Sequence, residues 1–223
     1  MSYTKEQIAA VLDLAVLKPT ATAADVRAAC GLAVAGKIKS VCVAPAWVPM
    51  ASGLYDNICA VIAFPHGNTL PEAKYAEAVA AMDCGAKELD VVLNYGRFLD
   101  GGRHDAFWEI ASIVKAAHPR GVLLKAILEV SHYTPGQLRQ ACRLCVESGV
   151  DFVKTSTGFG PGGATPEAVE TMLEAVDGKA QVKASGGIKT YADAALYLDL
   201  GCTRLGASTY LGLLVPVPVG KEH

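Results

Sequence analysis

One alternation recurs along the chain and leaves few folds open to it. A glycine closes a helical pattern, a short β-branched run follows, and a turn with a Ser/Thr cap opens the next helix. Gly36 precedes the run at 38–43, Gly85 that at 88–93, Gly149 that at 150–154 and Gly201 that at 203–206. Glycine suits the position after a helix because positive φ carries no Cβ strain there. Further apolar runs at 13–17, 58–64, 122–130 and 181–184 bring the strand candidates to eight. Strands separated by helices pair in parallel through right-handed crossovers. Eight such units in 223 residues predict an α/β protein, a compact (β/α)8 TIM barrel folded as a single domain. An open doubly wound sheet is disfavoured, because no Gly-x-Gly-x-x-Gly follows the first strand and the polar residues spread over many strand ends.

Helix starts carry their own signals. Thr4 with Gln7, Thr22 with Asp25, Thr69 with Glu72, Thr134 with Gln137 and Thr190 with Asp193 have capping-box spacing, the acidic ones variants of the Glu/Gln form. Pro71, Pro135 and Pro166 fall in first turns, where a missing N–H costs nothing. The domain is expected to span 1–223, with a short N-terminal helix at about 4–12 and a frayed tail at about 215–223. A formal charge of −2 and a pI of about 6.2 leave no footprint for nucleic acid or for an anionic membrane. The N-terminus has no apolar signal-like region, and the longest apolar stretch, 58–65, is far short of the ~20 residues that span a bilayer. Seven cysteines scattered singly through apolar segments fit reduced thiols better than a disulfide framework. A cytoplasmic protein is expected.

Barrel sites form at the C-terminal ends of strands, so ionisable residues within the strands need a reason. Period-two alternation puts Asp90, Val92 and Asn94 on one face, and likewise Phe152, Lys154 and Ser156, Lys183 and Ser185, and Lys125 and Glu129. Their apolar neighbours then face the helices and the ionisable ones face inward. A structural ion-pair network accounts for one Asp–Lys pair, but three lysines converging on one aspartate give an excess of positive charge, a poor design for stability alone.

Chemistry gives such a lysine a use. A nucleophilic amine must be deprotonated, and an exposed lysine at pH 7 is neutral in only roughly one molecule in a few thousand. Two ammonium groups ~6 Å apart on neighbouring strands, as expected for Lys154 and Lys183, repel by about 3 kcal/mol at an effective dielectric of ~20. Such repulsion, with desolvation, favours an amine able to form a Schiff base with a carbonyl substrate. Asp90 is expected to exchange protons with Lys183 or a bound water. Glycine loops follow these strands, Thr157-Gly158 after Lys154, Ser185-Gly186-Gly187 after Lys183 and Gly206-Ala207-Ser208-Thr209 after the last strand. Each alone reads equally well as a tight turn. Their position after the late strands of a barrel favours a phosphate cradle.

At these residues the sequence becomes recognisable. Phe-Val-Lys-Thr-Ser-Thr-Gly-Phe at 152–159, Val-Lys-Ala-Ser-Gly-Gly-Ile at 182–188, Glu-Leu-Asp-Val-Val-Leu-Asn at 88–94 and Ile-Ala-Phe-Pro-His-Gly-Asn-Thr at 62–69 together resemble the deoxyribose-phosphate aldolase family, from about Leu12 to Ser208. The resemblance implies a metal-free, cofactor-free class I aldolase. Such an enzyme reversibly cleaves 2-deoxy-D-ribose 5-phosphate to acetaldehyde and D-glyceraldehyde 3-phosphate in deoxyribose catabolism. It implies Lys154 as the Schiff-base lysine, Lys183 as the second lysine that favours the neutral nucleophile, Asp90 as proton donor and acceptor, and Lys125 in support. Gly158, Gly186, Gly187, Ser208 and Thr209 align with the phosphate-binding loops. Two departures stand out. The first strand reads Asp13-Leu14-Ala15 where the family commonly has a threonine third, and the tail lacks a C-terminal tyrosine found in some members.

Other signals point elsewhere. Cys142 and Cys145, at i,i+3 spacing in one capped helix, read as a packed face rather than half of a zinc site. Cys42 reads as a small pocket wall. His66 falls in the turn motif, and His104, His118, His132 and His223 are not spaced with carboxylates as metal ligands. The expected partner is a small phosphorylated sugar, with no nucleic acid and no membrane. A homo-oligomer is allowed. An isomerase or epimerase on the same barrel would use the glycine loops with acid–base carboxylates and need no neutral lysine. A catalytically dead scaffold would have lost one of Lys154, Lys183 and Asp90, and all are present.

Overall fold

The computed structural model describes residues 3–210 and 212. The frayed tail expected at about 215–223 lies outside them, as does the C-terminal position where some relatives carry tyrosine. After α1 (Lys5–Ala9) the chain enters β1 (Leu12–Val16), α2 (Ala23–Gly36), β2 (Ser40–Val43), α3 (Val48–Ser52), β3 (Ile58–Ile62) and α4 (Pro71–Asp83). Then come β4 (Glu88–Val92), α5 (Tyr95–Leu99), α6 (Arg103–Ala117), β5 (Leu123–Ile127), α7 (Pro135–Glu147) and β6 (Phe152–Lys154). The last units are α8 (Pro166–Val176), β7 (Gln181–Ser185), α9 (Tyr191–Leu200) and β8 (Arg204–Ala207). The eight strands form a closed barrel in chain order, and β1 pairs in parallel with β8 to complete the ring.

All eight expected strands are present, most of them shorter than the apolar runs that announced them. Beyond the ladder the backbone turns, and alternation no longer dictates where a side chain points. The run at 122–130 shows this: β5 ends at Ile127, and Glu129 lies in the left-handed region at φ 59°. Its shared parity with Lys125 therefore does not put both side chains on the same inward face.

Four of the five capping boxes form, at Thr4, Thr22, Thr134 and Thr190. Thr69 does not cap α4. Leu70 takes that position and Pro71 opens the helix, so Thr69 lies one residue too early. Gly85, Gly149 and Gly201 adopt positive φ as expected, but at the end of α2 it is Lys37 that turns left-handed, at φ 50°. Gly36 serves a different need, since a Cβ there would lie 2.6 Å from Cζ of Tyr210.

The apolar core is mainly the layer between barrel and helices, with Leu89, Val91, Leu124, Ala126, Val153 and Val182 on the outward faces of their strands. Within the barrel Cys42, Cys59 and Val61 form a small separate apolar cluster. The rest of the lumen mixes apolar Val92 and Phe152 with polar and charged side chains, and the Arg204 guanidinium lies over the Phe152 ring. Among the described residues no helix is long and apolar enough to cross a membrane.

Candidate active site

Strand register sets Asp90 beside Lys125 and Lys154 beside Lys183. Asp90 is fully buried at the centre of the group. Its Oδ1 accepts hydrogen bonds from Lys125 Nζ at 2.8 Å and Cys59 Sγ at 3.1 Å. Its Oδ2 accepts from Lys154 Nζ and Lys183 Nζ, both at 2.7 Å. The two amines therefore cannot lie more than twice that distance apart.

Three further charges join these four, and they were not among the residues expected at the site. Asp13 of β1 accepts from Lys183 and, at 2.7 Å, from Arg204 and from Ser40 Oγ. Glu88 meets Lys125 at 2.5 Å and Arg204 at 2.9 Å. The expected excess of positive charge is thus smaller than three lysines on one aspartate. Four cations now face three carboxylates, a surplus of one. The cations are unequally held: Lys125 pairs with Asp13, Glu88 and Asp90, Lys183 with Asp13 and Asp90, and Lys154 with Asp90.

Ionisation follows from this crowding. Burial alone would raise the Asp90 carboxyl, but the charges of Lys125, Lys154 and Lys183 outweigh it and hold it well below the usual carboxylate range. Asp13 and Glu88 behave likewise, burial opposed by Lys183, Lys125 and Arg204 at the first and mainly by Lys125 at the second. Burial disfavours charge on Lys125 and Lys183, yet the carboxylates around them raise both above the ordinary lysine value.

A stability profile follows. Carboxyls depressed in the folded state stabilise it fully above the unfolded value of ~4, and that share is lost as pH falls through the folded values. Raised lysines stabilise it below ~10.4, and their share is lost as pH climbs toward their folded values. The cluster's contribution is therefore expected to be flat from roughly pH 5 to 10 and to fall on both sides. Urea denaturation midpoints measured across pH check this. Glu88→Gln, with one depressed carboxyl fewer, should show a shallower acid limb, and identical limbs in the two proteins would contradict the assignment.

Above the cluster a cavity of about 760 Å³ opens at the C-terminal ends of the strands. Lys154, Lys183 and Asp13 reach its floor, while Asp90 and Lys125 lie beneath. Gly158, Gly186, Gly187 and Ser208 line its wall, and Thr209, expected with them, does not. Positive φ at Gly158 (83°), Gly186 (88°) and Gly187 (85°) lets these loops turn tightly. A Cβ on Gly206 would lie 3.1 Å from Lys183 Cε and 2.8 Å from Ser185 Cβ, so bare backbone at that position leaves room for the lysine. Ala15 pairs with Cys42 and packs on the inner apolar cluster, so a methyl meets the thiols where the resemblance leads one to expect a hydroxyl.

Cys42 lines the cavity as expected. With Cys59 and Asp90 it forms a buried group spaced to hold a metal ion. Both Asp90 oxygens are already engaged by lysine ammonium groups, so a cation there would have to displace those pairs and enter a cluster already in positive surplus. Cys142 and Cys145 lie on the buried face of α7, as their spacing implied.

Comparison with known proteins bears on the family and the fold. The model of the DeoC/LacD family aldolases matches residues 7–207. A protein of Carboxydothermus hydrogenoformans named deoxyribose-phosphate aldolase is 43% identical across 100% of both chains. Among solved structures, a putative deoxyribose-phosphate aldolase from Coccidioides immitis superposes with a TM-score of 0.92 at 34% identity, covering 96% of this chain and 87% of that one. A deoxyribose phosphate aldolase from Aeropyrum pernix, described as a tetramer, gives a TM-score of 0.89 at 32% identity over 95% and 91% of the two chains.

Proposed function

The chain belongs to the DeoC/LacD family of aldolases, and from that premise we propose that it reversibly cleaves 2-deoxy-D-ribose 5-phosphate to acetaldehyde and D-glyceraldehyde 3-phosphate through a Schiff base on Lys154. One observation carries this reading. The buried cluster holds one cation too many, and Lys154 is the lysine that faces the cavity with a single carboxylate partner. That single partner leaves Lys154 the least restrained amine of the cluster and the one open to a carbonyl substrate in the cavity. Lys183, pinned by two carboxylates, stays an ammonium beside it.

The steps follow from these charges. Lys154 Nζ attacks C1 of the open-chain sugar, and loss of water gives a protonated imine, which acts as the electron sink. The C3 hydroxyl passes its proton to the Asp90 carboxylate through a relay of Lys183 and water, and the C2–C3 bond breaks. Glyceraldehyde 3-phosphate leaves, the enamine is protonated at carbon, and hydrolysis releases acetaldehyde. Gly158, Gly186, Gly187 and Ser208 supply the backbone and hydroxyl donors for the phosphate, and Lys125 secures Asp90 from below. This chemistry uses no metal and no cofactor. A role in deoxyribose catabolism follows from the substrate, and the seven free cysteines suit the reducing cytoplasm. Self-association of the chain is in keeping with the tetramer described for the Aeropyrum pernix protein.

Borohydride reduction in the presence of acetaldehyde, followed by peptide mass mapping, tests the reading. A two-carbon adduct is expected on the peptide carrying Lys154, formed equally well in EDTA. An adduct on another lysine, or inactivation by EDTA, would overturn it. Lys183→Leu should keep the fold but slow adduct formation by about two orders of magnitude, the weight of ~3 kcal/mol of lost repulsion on the free amine. Trapping at the normal rate would deny Lys183 that role.

A further inference from the structure

Glu129 takes no part in the ion cluster, yet its placement is costly. It holds positive φ without being glycine, its side chain is buried, and its Oε1 has no hydrogen-bond partner. A strained backbone and a half-satisfied buried carboxylate both oppose folding, so stability alone does not account for the residue. Its other oxygen is fully used. Oε2 accepts from the backbone N–H of Thr157 at 3.2 Å and from the Thr157 hydroxyl. That hydroxyl oxygen in turn accepts from the Phe159 N–H at 3.0 Å. A single polar chain thus runs from Glu129 through Thr157 to Phe159 and encloses Gly158. Phe159 closes the far side by packing edge-on against Phe64, with ring centroids 5.3 Å apart. The backbone of the β5 tip follows the β6 edge, Leu128 N donating to Lys154 O and Val130 N to Thr155 O, which keeps the carboxylate beside the loop. Gly160 makes room for it, since a Cβ there would lie 2.7 Å from Glu129 Cδ.

We infer that Glu129 is a positioning residue that holds the 157–160 loop in the shape that presents Gly158 to the phosphate end of the substrate, without acting on the chemistry at Lys154. The assignment of that end of the cavity rests on the function proposed above. Glu129 does not line the cavity; it acts through Thr157, which does.

The test pairs kinetics with amide hydrogen exchange. Glu129→Ala is expected to raise KM for 2-deoxyribose 5-phosphate by about ten- to a hundredfold, with kcat and Lys154 trapping by acetaldehyde within about twofold. KM for unphosphorylated 2-deoxyribose should move little, and exchange in the peptide spanning 155–160 should quicken. Glu129→Gln keeps a carbonyl oxygen for Thr157 and should restore slow exchange and most of the affinity. Unchanged KM and exchange in Glu129→Ala would overturn the inference. So would a loss confined to kcat and trapping, or a Gln variant as impaired as the Ala variant. Should Glu129→Ala fail to fold, Gly160→Ala displaces the carboxylate from the opposite side and should reproduce the KM rise; an unchanged KM there overturns the inference equally. If the wild-type protein forms no adduct at Lys154, the function proposed above fails, while loop exchange and inorganic phosphate affinity in wild type and Glu129→Ala still decide the role of Glu129.

Discussion

Lys154→Ala is expected to lose retro-aldol turnover by roughly 10⁴-fold or more, equivalent to about 5 kcal/mol or more in the barrier, and to lose the borohydride-trapped adduct altogether. Its stability is expected to stay close to that of the wild type. Removing Lys154 takes away the surplus cation and leaves Lys125, Lys183 and Arg204 facing Asp13, Glu88 and Asp90, three charges against three. The opening left behind lies on the cavity side, where water can enter. Few buried ion-pair deletions would be so well tolerated, since breaking one ordinarily costs about 3–5 kcal/mol. Lys125→Ala is the contrast. It strips a counterion from Asp13, Glu88 and Asp90 together and should lower the urea midpoint steeply. Substantial turnover by Lys154→Ala, or equal destabilisation by the two substitutions, would refute this account of the cluster.

Asp90→Asn is expected to separate two steps that the wild type performs in succession. Losing the carboxylate removes the acceptor for the C3 hydroxyl proton, and bond cleavage should slow by about 10²- to 10⁴-fold. Adduct formation asks only for a free amine. With Asp90 neutral, Lys154 loses its one carboxylate partner among the described residues while Lys183 remains held by Asp13, so the amine is released from its ion pair. Trapping by acetaldehyde should therefore persist. The fold should lose about 3–5 kcal/mol, because three ammonium groups lose a shared counterion. Rapid-quench measurement of adduct and product on one sample distinguishes the steps. Loss of trapping in parallel with turnover would contradict the division of labour.

The barrel was legible because most of its strands are flanked by punctuation that has a physical cause. Gly85, Gly149 and Gly201 occupy left-handed positions, and threonines at four of the five proposed capping boxes satisfy otherwise unpaired N–H groups. Asp90, Lys125, Lys154 and Lys183 were legible from alternation alone, being ionisable residues on faces that should be apolar. Asp13, Glu88 and Arg204 obey the same rule and went unused, because a pairing between first and last strands is invisible until the ring closes. The available signal was an ionisable residue inside a strand, such as Asp13 amid Leu12, Leu14 and Ala15. Glu129 was misplaced for the opposite reason. Alternation was carried past Ile127, where the backbone has already left the extended region. Lys74 gave no signal at all. It is buried in the layer between α4 and α6, where it donates to Glu109 at 2.6 Å and to the carbonyls of Gly67 and Val92, and helical periodicity cannot tell such a residue from a surface lysine.

Asp13 meets Arg204 across 191 positions of sequence. A nascent polypeptide emerging from the ribosome makes the acid long before its guanidinium partner. Until β8 has been made, Asp13 and Glu88 lack the guanidinium they share, however well the intervening βα units have formed. Translation products that stop short of β8 should therefore remain open to proteases even where most of the barrel wall is already present.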